Sequence, residues 1–138
     1  MRRMTSVGLR GALVVSLLPL LAMCTGAPES RRVADRFMEL YYGQSNVAEA
    51  VKLSTGAAKA KLEGELAALR GMAPVAAADK PHVGFRLSSG NAGTAQATYA
   101  YTIDASAAGD SLTATVVLSG EGGQWLVTSL VENEETGS

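Results

Sequence analysis

The sequence predicts an α+β domain, with N-terminal helices packed on one face of a four-stranded antiparallel sheet. Apolar residues recur at helical spacing between Ser30 and Arg70, and from His82 onward the period changes to two. Short turns separate the alternating segments, and only antiparallel neighbours can be joined that way. Helices gathered ahead of strands place the chain among α+β architectures.

The first helix is set by Val33, Phe37, Leu40 and Tyr41, which lie on one face, while Arg31, Arg32, Asp35, Arg36 and Glu39 fill much of the rest. Ser30 stands where an N-cap is expected and Gly43 where a helix ends. Ser45 or Asn46 can open a short second helix, Asn46 followed by Glu49 resembling a capping box, with Val47, Ala50 and Val51 turned one way and Leu53 near the exit. The spacing of Ala58, Leu62, Leu66 and Leu69 predicts a third helix from Ala57 to Arg70, and Lys61–Glu65 is an i, i+4 pair on it. Residues 71–81 read as a linker.

Val83, Phe85 and Leu87 alternate with His82, Gly84 and Arg86 in a first strand, which a turn over 89–93 closes. The second strand puts Ala95, Ala97, Tyr99, Tyr101 and Ile103 on one side and Thr94, Gln96, Thr98, Ala100 and Thr102 on the other. The third alternates Leu112, Ala114, Val116 and Leu118 with Thr113, Thr115 and Val117. Gly120-Glu121-Gly122-Gly123 turns the chain into a last strand from Trp125 to about Val131, and residues 133–138 read as an acidic, solvated tail.

What precedes the domain has a different character. Arg2, Arg3 and Arg10 lead into an apolar run of 13 residues from Gly11 to Met23, with no acid. A basic start, a short apolar middle and a small-residue exit make residues 1–23 a signal peptide. The run is shorter than the roughly 20 residues needed to span a bilayer as a helix. The single cysteine ends it, in Leu21-Ala22-Met23-Cys24. This resembles the lipobox of bacterial lipoproteins, although Met23 stands where that family usually has Gly, Ala or Ser. The resemblance implies lipidation of Cys24, acyl chains of the palmitate kind, and a domain tethered to the membrane through residues 24–29; plain secretion is the alternative. Loss of residues 1–23 removes three arginines and no acid, so the formal charge moves from −1 to −4 over 115 residues. An acidic domain offers no overall basic field for nucleic acid.

The opening helix Val33-Ala34-Asp35-Arg36-Phe37-Met38-Glu39-Leu40-Tyr41-Tyr42 and the closing Gly122-Gly123-Gln124-Trp125-Leu126-Val127-Thr128-Ser129-Leu130 together resemble the nuclear transport factor 2-like group over residues 30–132. That resemblance implies a curved sheet enclosing a cone-shaped cavity with the helices. The group includes isomerases, cyclases, accessory subunits and non-catalytic scaffolds, so the residues must decide among them.

Those residues nominate no catalytic set. His82, the one imidazole, opens a strand with the parity of its outer face. Asp35 and Glu39 share a helix face among arginines, and Asp104 and Asp110 flank a turn, where Asp bonds locally. No apolar strand position carries an acid that could work with the Tyr99 or Tyr101 phenol. A nucleophile elbow, a phosphate loop, metal-ligand spacing and interleaved basic and aromatic residues are all missing from the sequence. No cofactor and no metal are therefore expected. The aromatic residues Phe37, Tyr41, Phe85, Tyr99, Tyr101 and Trp125 are the candidates for lining a cavity. The resulting expectation is an exported, non-catalytic lipoprotein that binds an envelope protein or an apolar small molecule. A small isomerase- or cyclase-type enzyme, or an accessory subunit of an envelope or secretion complex, is the alternative.

Overall fold

The computed structural model describes residues 26–76, 83–104 and 111–135. The expected signal peptide over residues 1–23, Cys24, Pro81, His82, Asp110 and residues 136–138 of the expected tail lie outside them. Helix α1 (Glu29–Met38) continues into a π-helical turn (Glu39–Gly43), then α2 (Val47–Val51) and α3 (Gly56–Leu69). Strands β1 (Gly84–Ala92), β2 (Gln96–Asp104), β3 (Ser111–Glu121) and β4 (Gln124–Glu135) follow and pair in sequence order, all antiparallel. The chain is thus α+β, with an open four-stranded sheet.

Period-two patterning decides which face of the sheet is inside. Ala97, Tyr99, Tyr101 and Ile103 of β2 and Ala114, Val116 and Leu118 of β3 are buried, while the residues between them are half-buried. Helix α1 packs its Ala34, Phe37 and Met38 into this face, and Ala50, Ala58 and Leu62 complete the core from α2 and α3. Burial of these side chains is the dominant favourable term in folding.

Several local details depart from the sequence expectation. Pro28, not Ser30, precedes α1; Ser30 lies one residue inside the helix and is buried. The α3 stripe is only half used, because Leu62 is fully buried while Leu69 is 48% exposed. Leu69 belongs to the last turn of α3, past the part of the helix that reaches the core. Asn46 does cap α2, its side-chain oxygen accepting the Glu49 N–H at 3.3 Å.

The expected turn over 89–93 is mostly strand. The β1–β2 register shifts between Leu87 and Ser89, and Ser88 Oγ donates to the Ala100 carbonyl at 2.9 Å. Pairing then resumes as far as Ala92↔Ala97. Gly90 permits this, since a Cβ there would stand 2.6 Å from the Tyr99 ring. Strand β4 also overruns its expected end, pairing to Glu135 against Ser111, so the first residues of the presumed tail are in the sheet. Backbone pairing with the long β3 carries them there regardless of side-chain charge.

A second register shift lies between Val117 and Leu118 of β3, which pair with Ser129 and Val127 respectively. Thr128 is the extra residue, and its hydroxyl donates to the Val117 carbonyl at 3.1 Å. The bulge brings Val127 and Leu130, three residues apart, onto the same buried face. Beside it, residues 53–55 cover part of the β4 edge: Val127 N–H donates to Leu53 O and Thr55 N–H to Val127 O, each at 2.8 Å. An edge strand otherwise leaves such groups open to a foreign chain.

Candidate functional site

The six aromatic candidates occupy two different settings. Phe37 is fully buried, and Tyr99 and Tyr101 are buried under α1 with their hydroxyls bonded to it. Tyr99 Oη and Ser30 Oγ share a hydrogen bond at 2.7 Å, and Tyr101 Oη donates to Asp35 Oδ1 at 2.7 Å. Phe85 packs edge-on to Tyr101, and Trp125 lies across Gly120, its ring atoms 3.1 Å from where a Cβ would stand. Tyr41 alone of the six lines the cavity described below.

Asp35 is therefore more than part of a solvated helix face. Its carboxylate receives Arg31 Nε at 2.9 and 3.0 Å as well as the Tyr101 hydroxyl. Burial first, and the hydrogen bond to Asp35 second, push the Tyr101 phenol well above the usual tyrosine range. A phenol held neutral and a carboxylate matched by a guanidinium suit an anchor between helix and sheet. Both Asp35 and Tyr101 lie apart from the cavity lining.

The cavity, about 520 Å³, opens where the π turn, α2, the end of α3 and the segment after it come together. That volume falls in the ordinary range for small-molecule sites. Its walls are largely apolar, formed by Val47, Leu69, Met72, Ala73, Pro74, Val75 and Val83. Leu69, Met72 and Val75 are 48%, 66% and 56% exposed, and they form an apolar rim rather than a sealed core.

The other wall is polar and comes from the π turn. Its wider backbone ring is marked by Gln44 N–H donating to Glu39 O at 2.8 Å, a span of five residues. Tyr41 and Tyr42, adjacent in sequence, both line the cavity with rings 4.7 Å apart and almost perpendicular. Phe37 stacks behind Tyr41 at 5.8 Å.

Each tyrosine hydroxyl donates to a carboxylate on a different element. Tyr41 Oη reaches both Glu65 oxygens, at 2.8 and 3.0 Å, and Tyr42 Oη donates to Glu132 of β4. Lys61 stands between the two acids, 4.0 Å from Glu65 and 3.6 Å from Glu132. Burial, followed by the hydrogen bond to its carboxylate, raises each of these phenols well above the usual range. The network ties the π turn to α3 and to the sheet edge, and it leaves Glu65 as the one carboxylate among the described lining residues. No lysine, arginine or histidine is among them.

Periodicity could not have located this site. Met72 and Val75 are apolar residues in a segment read as linker, and Tyr42 falls off the helical stripe. Met72 and Val75, the two larger apolar side chains in the Ala- and Pro-rich connection, were the one signal available. Among the described residues no group of three or more His, Cys, Asp or Glu is close enough to hold a metal ion. None of the described helices is long and apolar enough to cross a membrane. Compared with models of protein families, with curated proteins and with solved structures, the chain matches none.

Proposed function

We propose that this chain is an exported lipoprotein, held at the cell envelope through a lipid on Cys24, whose domain binds a small apolar ligand or a protein partner instead of catalysing a reaction. The observation that carries the tethering is the order Leu21-Ala22-Met23-Cys24 at the end of a signal-like run, five residues before α1 begins at Glu29. A linker that short reaches at most about 18 Å, so the domain works next to the bilayer. Acyl chains contribute about 0.8 kcal/mol per buried CH₂, and several of them anchor a small domain firmly.

The binding role is supported by the apolar cavity beside the π turn and by the assignment of Asp35 and Tyr101 to helix anchoring. Helices ahead of an antiparallel meander, with α1 across its apolar face, accord with a nuclear transport factor 2-like domain as the finer description of the fold.

Intact mass of the membrane-extracted protein tests the tethering. The expected product begins at Cys24, carries a diacylglyceryl group, and disappears from the membrane fraction in Cys24→Ser. A mature chain beginning elsewhere, with no lipid, would overturn it.

A further inference from the structure

The charge and shape of the cavity define its ligand more narrowly than its apolar walls alone. We infer that it takes a small amphiphile with an apolar body and a single cationic head, an amine or quaternary ammonium. This deepens the binding reading above and rests on it, and it is independent of the lipid anchor.

Three observations converge on the Glu65 carboxylate. It lines the cavity, with no cationic side chain among the described lining residues. Lys61, which does not line the cavity, is shared between Glu65 and Glu132 at 4.0 and 3.6 Å, so two acids face one base and the trio retains one negative charge. The Tyr41 and Tyr42 rings, nearly perpendicular, present aromatic surface beside that charge. Aromatic faces together with a carboxylate attract cations, and most strongly where water is partly excluded.

The apolar walls select the body of the ligand. Leu69, Met72, Val75 and Val83 offer nothing to hydrogen-bond through their side chains, while the flexible thioether of Met72 adapts to varied apolar shapes. An anionic head would meet the Glu65 charge, and a fully polar ligand would leave the apolar wall uncovered. An amphiphilic cation satisfies both the carboxylate and the apolar walls.

The test uses the full-length chain as recovered from expressing cells, in phosphatidylcholine nanodiscs where it partitions to membranes. Hexyltrimethylammonium, hexanol and hexanoate are titrated separately, and backbone amide shifts are followed by NMR. The expected result is saturable shifts at Leu69, Met72 and Val83, with the ammonium compound binding at least about tenfold tighter than hexanoate, equivalent to about 1.4 kcal/mol. Glu65→Gln keeps an acceptor for the Tyr41 hydroxyl. It should reduce the preference for the cation to less than about threefold and leave hexanol unchanged. Raising the salt concentration on the unsubstituted protein should likewise weaken the ammonium compound and spare hexanol, which tests the charge even if Glu65→Gln does not fold.

Equal or tighter binding of hexanoate in the cavity would overturn the cationic ligand while preserving a binding domain. No response of these residues to any of the three probes would overturn the binding reading itself. Shifts at the same amides that depend on protein concentration alone would assign the surface to a second copy of the chain, and would equally refute the inference.

Discussion

The bond between Ser30 and Tyr99 joins two hydroxyls that are almost wholly out of solvent, with 2% and 4% of each residue exposed. Each is the other's partner at 2.7 Å, across 69 residues of chain, and the bond holds the start of α1 against the middle of β2. Tyr99→Phe removes one hydroxyl and leaves the buried Ser30 Oγ, in the first turn of α1, without its partner. Ser30→Ala leaves the phenol of Tyr99 in the same position. A buried polar group without its partner costs about 1–3 kcal/mol, whereas removing both members together costs much less than the sum. We therefore expect about 1.5 kcal/mol for either single change and about 1.5 kcal/mol for the double variant, a coupling near 1.5 kcal/mol. Urea unfolding followed through Trp125 fluorescence measures all three. Strict additivity, or single changes below about 0.5 kcal/mol, would show that the pair is not the buried link described.

Two further outcomes follow from burial and from the phenol environments. Leu62→Ala should cost about 2–5 kcal/mol, because Leu62 is fully buried; Leu69→Ala, from the same helical stripe but 48% exposed, should cost less than about 1 kcal/mol. Comparable losses in a denaturant series would contradict the division of α3 into a core half and a rim half. Tyr41, Tyr42 and Tyr101 have folded pKa values above the unfolded value of about 10, so their contribution is complete below pH 10 and is lost as pH rises toward the folded values. Absorbance at 295 nm against pH should show these three ionising late, together with loss of circular dichroism; their ionisation near pH 10 in a still-folded protein would refute the assignment.

Much of this fold is legible in the sequence because alternation with period two is a local property of the backbone. Tyr99, Tyr101, Val116 and Leu118 point inward for the same reason that their neighbours point outward. The Asn46 cap and the Gly122-Gly123 hairpin are equally local; both glycines have positive φ, 59° and 78°, as a tight turn between paired strands requires. A period is silent where an extra residue enters. The bulge at Thr128 puts Val127 and Leu130 on one face at a spacing that looks like neither strand nor helix. Tyr41 and Tyr42, neighbours in the π turn, both line the cavity, although adjacent positions on a regular helix lie about 100° apart and no helical stripe pairs them.

The α+β class, the order of elements and most of the inner sheet face follow from local patterns in the sequence, and the proposal for Cys24 rests on sequence alone. Tertiary structure decided that Ser30 is a buried partner of Tyr99, that Asp35 holds a phenol as well as an arginine, and that Leu69, Met72 and Val75 rim a cavity. The reason is one of range. Caps, turns and alternation depend on residues a few positions apart, which a linear reading displays. A cavity or a hydroxyl pair depends on which surfaces meet after the chain has closed, and here those contacts join Ser30 to Tyr99 and Tyr41 to Glu65.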